Sequence, residues 1–258
     1  MSVNQEKTLC FMLQARVGST RLPKKMILPF YDKRNILQLI IEKLKNSFPE
    51  IPIVLATSAD PSNDELENLA FNLNCKVYRG SEEDVLYRFI LAAEKFNFNN
   101  IIRVCADNPF LDIKEMKHLV NFINKNHNFD YVSFKINGRP SIKSHFGFWA
   151  EYITLKTLKN VNNSISEKLY HEHVTNFIYE NPNRFKINYL DANSALKGHD
   201  DIRMTLDTLE DFTILSEIYS KLNSKYSFVF GINEIVDFLD NNPGYKVVMK
   251  NQIAINSK

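Results

Sequence analysis

Residues 8–25 read TLCFMLQARVGSTRLPKK. An apolar run from Leu9 to Leu13 gives way to a loop that carries Arg16, Arg21, Lys24 and Lys25, with Ser19, Thr20 and one glycine, Gly18. A short continuous apolar run bounded by loop residues is the signature of a strand buried on both faces. Such strands belong to parallel sheets with helices packed on either side, so this stretch decides the fold class as α/β.

The pattern repeats outward from it. Further strands are predicted at 51–57, 76–78, 100–105 and 130–134. Helical spacing of apolar residues appears at 35–46, with Asn35 as N-cap, and at 63–74, 82–95 and 113–126. Ser81 reads as the cap of the third of these helices. Strands alternating with helices of this length make βαβ units. The second half is less regular: helices at 168–180, 209–222 and 232–239, strands at 185–190 and 203–206, and a turn-rich stretch from Gly138 to Gly147. No repeat or linker divides the chain, so residues 1–258 read as a single domain, with an insertion in its second half.

Composition removes several function classes. There are 7 glycines in 258 residues, against about 7 % in soluble proteins. They are too scattered for a G-x-G-x-x-G fingerprint or a G-x-x-x-x-G-K-[ST] phosphate loop. Lys and Arg number 32 against 30 Asp and Glu, a net charge of +2, which is not the footprint of a nucleic-acid binder. The three cysteines make no C-x-x-C; Cys10 and Cys105, inside apolar runs, read as small core residues in a reducing compartment. The run Leu9 to Leu13, preceded by Glu6 and Lys7, is too short for a signal peptide or membrane span. A cytoplasmic protein without a membrane partner is expected.

Ligands of open parallel sheets bind in the loops at the carboxyl ends of the strands. Here those loops are residues 15–26, 57–63, 79–84 and 106–112, and they hold most of the unusual polar chemistry of the first half. In the first, Arg offers planar forks and Lys mobile charges for phosphate oxygens, and Gly18 permits a tight turn. Taken on charge alone, the cluster would be a solvated basic loop. Its place after a buried strand points to a triphosphate cradle. Asp107 and Asp207 each follow an apolar strand run. One reading makes Asp107 a turn residue before Pro109, and Asp207 a helix N-cap with Glu210 completing a capping box. The other reading makes them a carboxylate pair for Mg²⁺, which takes one or two carboxylates plus substrate phosphates.

The segment QARVGSTRLPKK at 14–25 resembles the signature loop of the cytidylyltransferases that make CMP-activated acidic sugars, in particular the SpsF type of spore-coat polysaccharide biosynthesis, with CMP-Kdo and CMP-sialic acid synthetases more distant. The resemblance continues in order through ATSAD (56–60), VYRGSEEDVLYR (77–88), RVCADNPFLD (103–112), HEHVTNFIYENP (171–182) and RMTLDTLED (203–211).

This family resemblance implies a Rossmann-like nucleotidyltransferase fold with a mostly parallel sheet. It implies that the insertion, about 137–200, shapes the acceptor pocket and a homodimer contact. It implies CTP, Mg²⁺ and a small anionic acceptor. Arg16, Arg21 and Lys25 would then be catalytic, and Asp107 and Asp207 would hold the metal. Gln14, Ala15, Gly18, Ser19, Thr20, Ser58, Arg79, Gly80, Ser81 and Arg103 would bind the nucleotide. Glu151, Glu172 and His173 would lie on the acceptor side. The family commonly has glycine where this chain has Lys24, and a G-L-D-V-E pattern where this chain has Phe146-Gly-Phe-Trp-Ala-Glu151. His171 and His173 are two apart, so on a helix only one faces the acceptor. Trp149 reads as core or dimer contact rather than a sugar platform.

The implied reaction is attack by an acceptor oxygen on the α-phosphorus of CTP. Rival readings are transfer to a phosphorylated acceptor giving a CDP-linked product, a glycosyltransferase, and a non-catalytic nucleotide-binding module. A glycosyltransferase would normally carry Asp-x-Asp, which Asp107-Asn-Pro is not. Retention of every basic loop residue and both acids argues against a dead module.

Overall fold

A computed structural model describes residues 8–256; Glu6 and Lys7 lie outside the described residues. The first half is the expected alternation. Strands β1 (Leu9–Gln14), β2 (Ile53–Ser58), β3 (Lys76–Gly80) and β4 (Asn100–Cys105) are separated by helices α1 (Ile36–Ser47), α2 (Asp64–Asn72) and α3 (Val85–Lys95), and α4 (Ile113–Lys125) follows β4. In the second half come β5 (Tyr131–Ile136), β6 (Arg139–Pro140), β7 (Glu151–Thr154), α5 (Leu155–Asn162), α6 (Lys168–Glu172), α7 (Asn176–Glu180) and β8 (Ile187–Asp191). Helices α8 (Leu209–Tyr226), α9 (Ile232–Asp240) and α10 (Pro243–Ile255) complete it.

One sheet runs in the order β3-β2-β1-β4-β7-β5-β6, with β8 also pairing β5. The pairs β1–β2, β1–β4, β2–β3 and β5–β8 are parallel; β4–β7, β5–β7 and β5–β6 are antiparallel. The fold is therefore a mostly parallel α/β sheet, interrupted where β7 enters against the grain. Strand β1 shows why the centre is buried twice over. Phe11 and Leu13 pack into one hydrophobic cluster, while Cys10 and Met12 pack into a second on the opposite face.

The local signals mostly held. Asn35 caps α1 through a full capping box with Gln38, and Asp112 caps α4. Others differ. Helix α3 begins at Val85 with Asp84 as its cap, and Ser81 instead accepts from the Asp84 amide in the preceding turn, at 3.0 Å. Residues 168–180 form two short helices broken around His173 rather than one. Residues 203–206 are in no strand. Their amides bond to loop carbonyls, Met204 to His145 at 2.8 Å and Leu206 to Asp107 at 3.0 Å. No helix among the described residues is long and apolar enough to cross a membrane.

Candidate active site

A cavity of about 970 Å³ opens at the carboxyl ends of β1 and β4. One wall is built from the loop after β1. Gln14, Ala15, Arg16, Ser19, Thr20, Arg21 and Lys25 all line it. The loop is pinned from behind, where the Val17 amide donates to the side-chain oxygen of buried Asn63 at 2.9 Å. Its turn chemistry differs from expectation. Gly18 does not adopt a left-handed backbone; a Cβ there would meet Glu82 Oε1 at 3.1 Å, so glycine serves close approach. The left-handed residue is Lys24, at φ +61°, in the region that favours glycine. Its side chain does not line the cavity. Lys25 does, so the two neighbouring lysines point to different work.

Lys25 stands at the centre. Its Nζ donates to the Leu206 carbonyl at 2.7 Å and lies 3.6 Å from Asp107 Oδ2 and 3.7 Å from Asp207 Oδ1. Two carboxylates 100 residues apart in sequence thus converge on one ammonium. Asp107 leaves β4 through a turn in which the Asn108 amide bonds the Cys105 carbonyl, so its turn role and its place in the site coexist. Asp207 is not the cap of α8. That is Thr208, with Asp211 rather than Glu210 completing the capping box.

Behind Asp207, buried Arg203 donates to Asp207 Oδ2 at 2.8 Å and forks onto Asp211 at 2.9 and 3.0 Å. Asp211, in the first turn of α8, is buried. Burial works to raise the Asp207 carboxyl, but Lys25 and Arg21, and then Arg203, outweigh it and hold it below the usual carboxylate range. Both acids line the cavity, and Asp107 is the more exposed, at 38 % of its side chain against 10 %. Among the described residues no group of three or more His, Cys, Asp or Glu converges as a metal cage. A pair of carboxylates leaving further coordination to water and phosphate is the donor set Mg²⁺ prefers.

The remaining basic residues are held in loose pairs. Arg16 lies 3.6 Å from Glu82 and 3.7 Å from Glu172. Arg21 donates to Asp207 at 2.7 Å and to Asn256 at 2.9 Å.

The opposite wall comes from residues 141–151 and 172–180. Gly147, at φ +65°, sits there because a Cβ would come within 3.0 Å of the Met204 backbone. Glu151 lines this wall, but its charge is already engaged. Arg103, its cross-strand partner in β4–β7, donates to it at 2.5 Å, Tyr131 donates to its other oxygen, and Thr175 donates at 3.3 Å. Arg103 also donates to Gln14 Oε1 at 3.0 Å, so its guanidinium is held by the protein itself. Burial would lower Arg103, yet Cys105 and Glu151 beside it hold it above its ordinary value. Glu172 and His173 line the cavity, whereas His171 turns away to Asp84 at 2.9 Å. Trp149 is buried and donates to Glu115 at 3.1 Å, but one side of it faces the cavity. Cys10 is core, and burial pushes its thiol up; Cys105 is not, for it lines the cavity.

The expected base-side residues Ser58, Arg79, Gly80 and Ser81 do not line the cavity. Arg79 reaches outward to Asp64 and Glu67, at 2.6 Å each. Ser58 bonds Glu82 at 3.3 Å. Gly80 leaves room for the stem of Arg88, which a Cβ would meet at 3.0 Å. Arg88 itself was not singled out in the sequence. It is buried against the cavity, donates to the Ser81 carbonyl at 2.5 Å, and its Nε has no partner. Burial first, and Arg16 next, lower its guanidinium to about 10. The lone signal for it was an arginine on the apolar face of α3.

With this geometry in view, residues 10–242 match the family described as cytidylyltransferase. The chain belongs to the cytidylyltransferase family. It is thus a nucleotidyltransferase enzyme. It is 37 % identical over 241 residues to an uncharacterized protein of Methanocaldococcus jannaschii, covering 93 % of both chains. It is 28 % identical over 241 residues to the spore coat polysaccharide biosynthesis protein SpsF of Bacillus subtilis, covering 91 % of this chain and 95 % of that one. The solved structure of a cytidylyltransferase from Leptospira borgpetersenii superposes with a TM-score of 0.78 at 26 % identity, covering 95 % of this chain and 97 % of that one. The SpsF-type resemblance carried by the loop of 14–25 is borne out by these matches.

Proposed function

We propose that this cytidylyltransferase couples CTP to an acidic sugar or related anionic acceptor, releasing pyrophosphate and a CMP-activated product for surface polysaccharide or glycan biosynthesis. The observation that carries the reading is the meeting of Asp107, Asp207 and Lys25 at the mouth of the sheet, with Arg16 and Arg21 on the same wall. An anionic triphosphate needs cations around it and a divalent metal beside it, and this wall offers both kinds of group. The family description supports the cytidine nucleotide, and the spore coat relative supports a polysaccharide setting.

Asp107 and Asp207 would hold Mg²⁺, which when bound supplies charge neutralisation at the α-phosphate. Lys25, paired with both acids, would be the ammonium nearest to phosphate oxygens drawn to that metal. Arg16 exchanges Glu82 and Glu172 for phosphate. The acceptor hydroxyl oxygen attacks the α-phosphorus and gives up its proton to solvent, the bond to the bridging oxygen breaks, and the electron pair leaves on pyrophosphate, whose charge Arg16, Arg21 and Lys25 balance. Positioning and charge supply the catalysis, with no dedicated base in the reading. Gln14, Ala15, Gly18, Ser19 and Thr20 shape the phosphate loop. Glu172 and His173 face the acceptor. Residues of about 137–200 form the acceptor wall and the contact of a homodimer, in a cytoplasmic enzyme without nucleic-acid partners.

The test is pyrophosphate release with Mg²⁺, each of the four NTPs, and a panel of acidic sugars and sugar phosphates. Release with CTP and an acidic sugar is expected. Release only with phosphorylated acceptors would move the product to the CDP-linked class, and no release with any pair would overturn the reading.

A further inference from the structure

Helix α10 lies beyond the residues that match the family, yet its end reaches into the site. Ile255 and Asn256 line the cavity beside Arg21 and Asp207. One nitrogen of the Arg21 guanidinium donates to the Asn256 side-chain oxygen at 2.9 Å, and the other donates to Asp207 at 2.7 Å. Asn256 is itself fixed, its amide donating to the Gln252 carbonyl at 3.0 Å and to the Gln252 side chain at 3.2 Å. Gln252 is 5 % exposed, accepts from Thr208 Oγ1 at 3.1 Å and donates to Glu210. One turn back, fully buried Met249 takes the Arg203 amide on its sulfur at 3.4 Å. The helix is therefore fastened along the segment that carries Asp207.

We propose that α10 is a working part of the active site and that Asn256 is a positioning residue for Arg21. The proposal rests on the CTP reading above. Arg21 is a long side chain with 53 % of its surface exposed, so unrestrained it would give up much rotamer freedom on binding phosphate. Asp207 would be shared with the metal when that is bound, so it is the less constant of the two partners. The other, an amide oxygen, orients the guanidinium without cancelling its charge, leaving the remaining donors for triphosphate.

Asn256→Ala should raise KM for CTP about tenfold and leave kcat within about threefold. Asn256→Asp keeps the acceptor atom but adds a charge that competes with the triphosphate, and should raise KM at least as far. In an Arg21→Ala background, Asn256→Ala should have no further effect on KM. A structural role alone would lower the thermal midpoint and shift KM equally in both backgrounds, and that result overturns the proposal. So does an unchanged KM in Asn256→Ala while the wild type works normally with CTP, which leaves the CTP reading standing. If the wild type neither binds nor turns over CTP, both fall.

Discussion

Arg16 on one wall of the cavity and Glu151 on the other hold charge in opposite ways. Arg16 is 40 % exposed and sits loosely between two acids at 3.6 and 3.7 Å. On the facing wall Glu151 is buried and takes hydrogen bonds from Arg103, Tyr131 and Thr175. Exposed pairs contribute little to stability and are easily replaced by a ligand. A buried pair is costly to disrupt, because whichever charge remains has lost its solvent and its partner. The lesson is that the same residue types make a loose, exposed pairing at Arg16 and a fixed, buried one at Glu151, and burial separates the two.

Substitutions can break that contrast. The largest effect on activity belongs to Asp107→Asn, which should remove turnover by a factor of about 1000 while the thermal midpoint stays within a few degrees; pyrophosphate release and a melting curve read both. Glu151→Gln should do the reverse. It strands Arg103 and should cost about 3 kcal/mol in urea unfolding, yet KM for CTP should change little. A large KM effect with intact stability would place Glu151 on the binding side of the comparison.

Arg16→Ala should change stability by less than about 1 kcal/mol and raise KM for CTP. Smallest is a control outside both walls. Burial lowers the Lys43 ammonium on α1 to about 8, against a partial upward pull from Asp112. The folded state then binds fewer protons than the unfolded chain between pH 8 and about 10.4. Wild-type stability should rise across that window relative to Lys43→Met. The variant should be the more stable protein at pH 7, with the gap closing near pH 10.

The phosphate wall was largely legible from sequence, because its residues are contiguous and follow a strong buried strand. The facing wall was not. Strand β7 is four residues long, too short to show a period, and its direction depends on a partner far away in sequence. The extended run Arg203–Leu206 looked like a strand, but its amides bond loop carbonyls and not a neighbouring ladder. No element is predicted beyond residue 239, yet Pro243 opens α10 as a first-turn proline. Arg79, expected among the nucleotide-binding residues, shows how a strand position leaves side-chain direction open. A residue on β3 was placed correctly in the chain, but its side chain reaches Asp64 and Glu67 on α2. Lys24 is the converse case, since the sequence departs from glycine while the backbone keeps the glycine-favouring conformation.

The antiparallel strand β7 has a consequence for how the chain is assembled. Strands β1 to β4 and their helices come from one continuous stretch, so during synthesis this half can form while the rest is still being made. Until β7 arrives, β4 is an open sheet edge, a template for pairing with other chains. Closure brings Glu151 opposite Arg103 in the ladder. The ion pair that stiffens the wall facing the basic loop is thus also the latch that joins the late half to the early one, and mutants of it should show slow folding and aggregation at the ribosome before they show any defect in chemistry.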